Sequence, residues 1–279
     1  MKRHPVYVVD AFTHEVFHGN PAAVCLLRSD LPDATLQAIA SEMNLSETAF
    51  VTAPDGDLFA ATTFGLRWFT PSVEVPLCGH ATLASAKVLM DELGVDAAPI
   101  RFDTRSGPLF AHPRVGGIEL DFPSNDPVPR PLPDGLDRAL GSAPVEDAAA
   151  VVDRGLWVLR YSHHRDVHAL TPDFTQIRRR FPGARVIVAT APGEGKYDFV
   201  SRCFAPNDGI DEDPVTGLAH TALGPYWARI LGRSEFTAFQ DSRRGGELEL
   251  RIAPEGRIRM TGRSRLVLRG YLDVPEPGS

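Results

Sequence analysis

Cys78-Gly79-His80 places a thiol and an imidazole on either side of one glycine. Small and apolar residues then run to Gly94, a pattern that predicts a tight turn feeding a helix. A helix N-terminus carries unpaired N–H groups and a positive dipole end, so it can hold an anion. Read alone, such a short motif is more often a plain helix start than a site. A second stretch, Asp213-Pro214-Val215-Thr216-Gly217, changes that weighting. Pro76 to Gly79 is three residues, and so is Pro214 to Gly217. Gly79 to Gly94 is fifteen residues, and so is Gly217 to Gly232. Phe69-Thr70-Pro71 is answered by Phe204-Ala205-Pro206. The matched spacing predicts an internal duplication, two α+β domains of like fold related by a pseudo-twofold axis, and two copies are too few for a solenoid.

Two such helix N-termini facing one another across a cleft would bind a small carboxylate. His80 brings a group that exchanges protons near neutral pH. Asp213 brings a carboxylate that a closed cleft can turn into an acid or base. In the aligned repeat the counterpart of Cys78 is Thr216, and an alcohol cannot replace the second thiol of a two-thiol racemase. Carboxylate and imidazole chemistry is the better expectation.

The whole composition narrows the partners. The chain has 279 residues with a formal net charge of −7 and a pI near 5.7, which argues against nucleic acid or an anionic membrane. Cys25, Cys78 and Cys203 are odd in number and widely spaced, so reduced thiols are expected rather than a disulfide framework or a zinc site. The apolar runs fall short of the roughly 20 residues a membrane helix needs, and the first residues lack a signal-peptide pattern. A cytoplasmic enzyme is expected.

The elements that would position these groups follow from pattern. Tyr7–Phe12, Ala22–Leu27, Ala49–Val51 and Gly65–Pro71 predict strands, with Phe17–Pro21 as a turn and a helix opening at Asp30–Asp33 and running to about Met43. Strands at Ile100–Thr104 and Gly117–Phe122 follow the Gly79 helix. Pro123, Pro127, Pro129, Pro131 and Pro133 then crowd together, which suits neither a helix nor a central strand. Residues 123–144 are therefore expected to link two domains, 1–122 and 145–264. In the second, Gly155–Tyr161, Val186–Ala189, Tyr197–Phe204 and Glu247–Ile252 predict strands, and Leu170–Asp173 opens a helix.

The motifs Asn20-Pro21-Ala22-Ala23-Val24, Asn44-Leu45-Ser46-Glu47-Thr48, Cys78-Gly79-His80-Ala81-Thr82 and Glu212-Asp213-Pro214-Val215-Thr216-Gly217 occur in the same order over nearly the whole chain as in the PhzF-like family of phenazine-biosynthesis isomerases, which this sequence resembles. The resemblance implies the diaminopimelate-epimerase-like fold, with each domain a β-sheet wrapped around a central helix. It also implies no cofactor, no metal, a homodimer, and a C-terminal strand near 265–275 that returns to the first domain. Residue by residue it assigns the proton-shuttling glutamate to Glu47 and its helpers to His80 and Asp213. Asn20, Ser46, Gly79, Thr216, Gly217 and Leu218 are expected to contact the substrate. Leu218 stands where the family often has serine, which leaves the substrate open. A racemase or epimerase with unlike acid and base, or a binding protein that keeps the fold, are the alternatives.

Other polar residues have plainer readings. Cys78 is expected to be a small buried neighbour of the site rather than a nucleophile. His163, His164 and His168 are expected in a surface loop without a metal. His220 is expected to pack on its helix, and Arg243-Arg244 to sit in a solvated turn.

Overall fold

The computed structural model describes residues 1–141 and 145–275. The chain forms two compact units, Met1–Asp121 joined by residues 261–275, and Phe122–Met260. Among the described residues no helix is long and apolar enough to cross a membrane.

In the first unit the strand Lys2–Ala11 lies antiparallel to both Asn20–Leu27 and Ser264–Val274. Asn20–Leu27 runs parallel to Glu47–Thr52, and Thr63–Phe69 runs parallel to Ile100–Thr104. Parallel neighbours need a crossover, and helices supply both: Asp33–Met43 for the first pair and Gly79–Leu93 for the second. Glu47–Thr52 with Thr63–Phe69, and Ile100–Thr104 with Gly107–Arg114, are antiparallel.

The second unit repeats the same order of pairings. Asp147–Val151 is antiparallel to Leu156–Arg160, which is parallel to Val186–Pro192. Val186–Pro192 is antiparallel to Phe199–Ala205, which is parallel to Glu235–Gln240, itself antiparallel to Gly246–Ala253. The crossover helix is Gly217–Leu231. The duplication read from spacing is therefore a duplication of topology.

Helix Gly79–Leu93 is the core of its unit. It packs against the strands Lys2–Ala11, Asn20–Leu27, Glu47–Thr52, Gly107–Arg114 and Ser264–Val274. His80 to Ala86 are all buried, because small and apolar side chains face every direction. Both long helices have 15 residues and stop at a glycine in the left-handed region, Gly94 (φ 67°) and Gly232 (φ 65°), a conformation glycine adopts without Cβ strain.

Pro225 lies inside the second long helix and cannot donate to the carbonyl of Thr221. Asn125 satisfies it instead: its N–H donates to Thr221 O at 3.0 Å, and its Nδ2 donates to Thr221 Oγ1 at 2.6 Å.

This contact belongs to the stretch expected as a linker, and that expectation is corrected. Val128–Pro129 pairs with Ala149–Ala150. Leu136, Ala139 and Leu140, in the short helix Leu136–Leu140, are fully buried in the second unit's core. Its prolines punctuate short elements rather than keeping the chain extended; residues 142–144 lie outside the described residues. The strand Gly107–Arg114 was also not anticipated, because Pro108 and Pro113 masked it. The turn expected at Phe17–Pro21 ends earlier, since Asn20 and Pro21 already belong to a strand. Gly19 makes the turn at φ 67°, where a Cβ would sit 2.1 Å from Ala11 O.

Candidate active site

Glu47 opens the strand Glu47–Thr52. It follows Ser46, half-buried in the bend after the first helix. Pairing of Glu47 with Ala22 brings it to the end of the sheet where Asn20, fully buried, begins its strand. The side chain of Glu47 is 13% exposed, and its Oε2 lies 3.2 Å from Nε2 of His80. That approach is not aligned with the ring N–H, so Nε2 makes no hydrogen bond within the protein. The other ring nitrogen, Nδ1, lies 3.5 Å from Cys78 Sγ. Burial pushes the His80 pKa down to about 3, so the imidazole is neutral at physiological pH and carries one N–H. Nε2 is a buried ring nitrogen beside a carboxylate and has no hydrogen-bond partner in the protein; carrying the ring's proton, it can bond a ligand oxygen while Glu47 moves a proton.

Glu47, Cys78 and His80 also present ligand atoms within 4.8 Å of one another, a spacing that an ion could bridge. The donors fit an ion poorly. Cys78 addresses Nδ1 and Glu47 addresses Nε2, on opposite sides of one ring, and a metal takes only one of them.

In the second unit Asp213 ends the strand Ile210–Asp213 and is buried. Its Oδ2 accepts a hydrogen bond from Thr216 Oγ1. Thr216 is the residue before helix Gly217–Leu231, as Cys78 is before Gly79–Leu93, and both are extended (φ −112° and −144°) without capping the helix through their side chains. Leu218, half-buried, is the counterpart of His80.

His220 has a different counterpart. Its Nδ1 bonds Thr216 O at 2.8 Å, as Thr82 Oγ1 bonds Cys78 O at 2.6 Å. Its ring stacks on Phe199, and burial, opposed by the bond to Thr216, holds its pKa at about 4.

Several supporting residues were not flagged by the sequence. Gln240, fully buried, donates to Asp213 O at 2.7 Å and Thr216 Oγ1 at 3.2 Å, and accepts from Thr216 N–H at 2.9 Å. Arg202 grips Glu212 with two bonds, at 2.7 and 2.9 Å, so Glu212 anchors the Asp213 strand. Arg67 grips Glu74 in the same way, at 2.8 and 2.8 Å. Carrying the repeat two residues before Phe69 and Phe204, and two before Pro76 and Pro214, would have found both pairs. Of the histidines expected in a loop, His163 is the extended residue before the short helix His164–His168, and within that helix His164 Nε2 and His168 Nδ1 reach the same oxygen of Asp241, at 2.9 and 2.8 Å.

The comparisons with known proteins agree with this duplicated architecture. The family model described as phenazine biosynthesis-like protein matches residues 9–270. The chain belongs to the PhzF-like family. A relative in Pseudomonas aeruginosa, named an uncharacterized isomerase, is 46% identical over 270 residues, 96% of this chain and 98% of that protein. The crystal structure of a PhzF-family protein from Enterococcus faecalis superposes with a TM-score of 0.90 at 38% identity, covering 98% of this chain and all of that one. A hydroxyproline epimerase from Agrobacterium vitis shares the fold at a TM-score of 0.59 and 12% identity, over 99% of this chain and 94% of its own. This PhzF-like protein is thus an isomerase by class, on an epimerase-like fold.

Proposed function

We propose that this PhzF-like isomerase acts on a small carboxylate, with Glu47 as the proton carrier and no cofactor. Glu47 takes a proton from an activated carbon and returns it to another, which moves a double bond. The observation that carries this reading is the pairing of Glu47 with a buried, neutral His80 whose Nε2 has no aligned partner in the protein. An imidazole with so low a pKa does not serve as the proton reservoir; it donates a hydrogen bond to substrate oxygen as charge develops there. The N–H groups at the start of helix Gly79–Leu93, next to Glu47 and His80 in the same unit, hold the substrate's carboxylate. The enzyme works as a cytoplasmic homodimer in this reading.

The test is Glu47→Gln against a panel of small unsaturated amino and hydroxy acids in heavy water. The wild type should move solvent deuterium into a carbon other than the one that loses its proton. The variant should keep its circular dichroism spectrum and lose both turnover and labelling. Full turnover in the variant overturns the assignment, and label at the α-carbon without a shifted double bond makes the enzyme an epimerase.

A further inference from the structure

The two residues that precede the long helices share an unusual trait. Ser, Thr and Asn at this position ordinarily bond the helix's first N–H groups, yet neither Cys78 nor Thr216 makes such a bond. Thr216 spends its hydroxyl proton on Asp213. Cys78 directs its sulfur to Nδ1 of His80 instead. The equivalent positions thus both address a neighbouring functional group.

The direction of the Cys78 contact follows from the other side of the ring. A neutral imidazole has one N–H and one bare nitrogen. If Nε2 were bare, its electron-rich nitrogen would lie 3.2 Å from the carboxylate oxygen of Glu47, an unfavourable approach of two electron-rich atoms in a buried setting even off the lone-pair axis. With the proton on Nε2 that contact becomes attractive, and Nδ1 needs a donor. The S–H of Cys78 is within sulfur hydrogen-bond reach of it, at 3.5 Å.

We propose that Cys78 is a positioning residue, whose S–H donates to Nδ1 of His80 and fixes the imidazole with its one proton on Nε2, beside Glu47. The functional weight of this contact rests on the glutamate-shuttle reading above. Cys78 does not bond to substrate or take its proton; it decides which ring nitrogen is the donor.

Nitrogen-15 NMR of protein labelled in histidine tests this on the resting enzyme, with His80 assigned by the signals lost in His80→Gln. In the wild type Nε2 should resonate as a protonated nitrogen and Nδ1 as a bare one. Cys78→Ala removes the donor, so the two nitrogens should move towards each other as the tautomers mix. Cys78→Ser, which restores a donor, should return the wild-type pattern at unchanged melting temperature. A proton on Nδ1 in the wild type, or a Cys78→Ala spectrum unchanged from it, overturns the proposal. No substrate is involved, so failure of the shuttle reading is separable: it shows as full turnover in Glu47→Gln while the wild type keeps its proton on Nε2.

Discussion

Arg67 and Arg202 occupy equivalent places in the two units and make the same three contacts. Each holds a glutamate through paired bonds, Glu74 and Glu212 respectively. Each also lies over a phenylalanine two residues on, with the guanidinium carbon 5.1 Å from the Phe69 ring centre and 5.0 Å from that of Phe204. The planar fork suits both roles, and lysine suits neither. Each pair ties a strand to the segment entering a long helix, so it fixes the approach to the Cys78 and Thr216 turns. Arg202→Met should cost about 2–3 kcal/mol, because Glu212 keeps its charge and loses both donors. Arg67→Met should cost less, because Arg105 still bonds Glu74. Urea denaturation reads both, and a loss within experimental error in either would refute the shared role.

Gln240→Leu removes the side chain that joins Asp213 to Thr216. Three polar groups lose a partner in a buried place, so the expected loss is about 2–3 kcal/mol. Asp213 should also lose its fixed orientation. Comparison with Gln240→Glu, which keeps an acceptor for Thr216 N–H, separates orientation from packing. Stability in Gln240→Leu equal to the wild type would show that water replaces the amide.

His220 should make the protein sensitive to acid. In the unfolded chain its imidazole takes a proton near 6.5, and in the folded chain at about 4. Between those values the unfolded state binds more protons, so stability falls as pH falls. From pH 7 to pH 5 this one group should remove about 2 kcal/mol. His220→Thr, which copies Thr82 of the first unit, should flatten the pH dependence by that amount while losing the stack on Phe199. Denaturation at both pH values checks it, and an unchanged slope in the variant would place the acid sensitivity elsewhere.

Gly262→Ala should destabilise by about 1–3 kcal/mol through overpacking. The new Cβ would lie 2.4 Å from Phe12 Cδ1 and 3.0 Å from Leu83 Cδ1. Phe12 is fully buried and already holds φ at 62°, so its ring has little room to yield. Thermal melting measures the loss, and a melting point equal to the wild type would show that the ring moves aside.

Much of this arrangement was legible in the residues, and the reason is spacing. The Pro-x-x-Gly turns and the distance to Gly94 and Gly232 set helix bounds that the structure keeps. The strand near residues 265–275 came from the resemblance, and the structure has Ser264–Val274 pairing with the first strand. What was not legible depends on partners distant in sequence. Gln240 has no local signature, because its meaning lies in two backbone groups more than twenty residues away. Cys78 and His80 are two residues apart in sequence, but the direction of their bond depends on Glu47, on the strand Glu47–Thr52. The helix Leu136–Leu140 hid behind prolines whose effect is local, while its buried face answers to a distant core.

The placement of the strand Ser264–Val274 sets the order in which the protein can fold as it is made. Lys2 faces Val274 across the sheet, so the first unit waits for a strand that leaves the ribosome after residues 122–260. The second unit is one unbroken segment and can close while that strand is still unmade. The domain that begins the chain is therefore the one that finishes last, and until then the edge of Lys2–Ala11 that will receive it stays open to other strands.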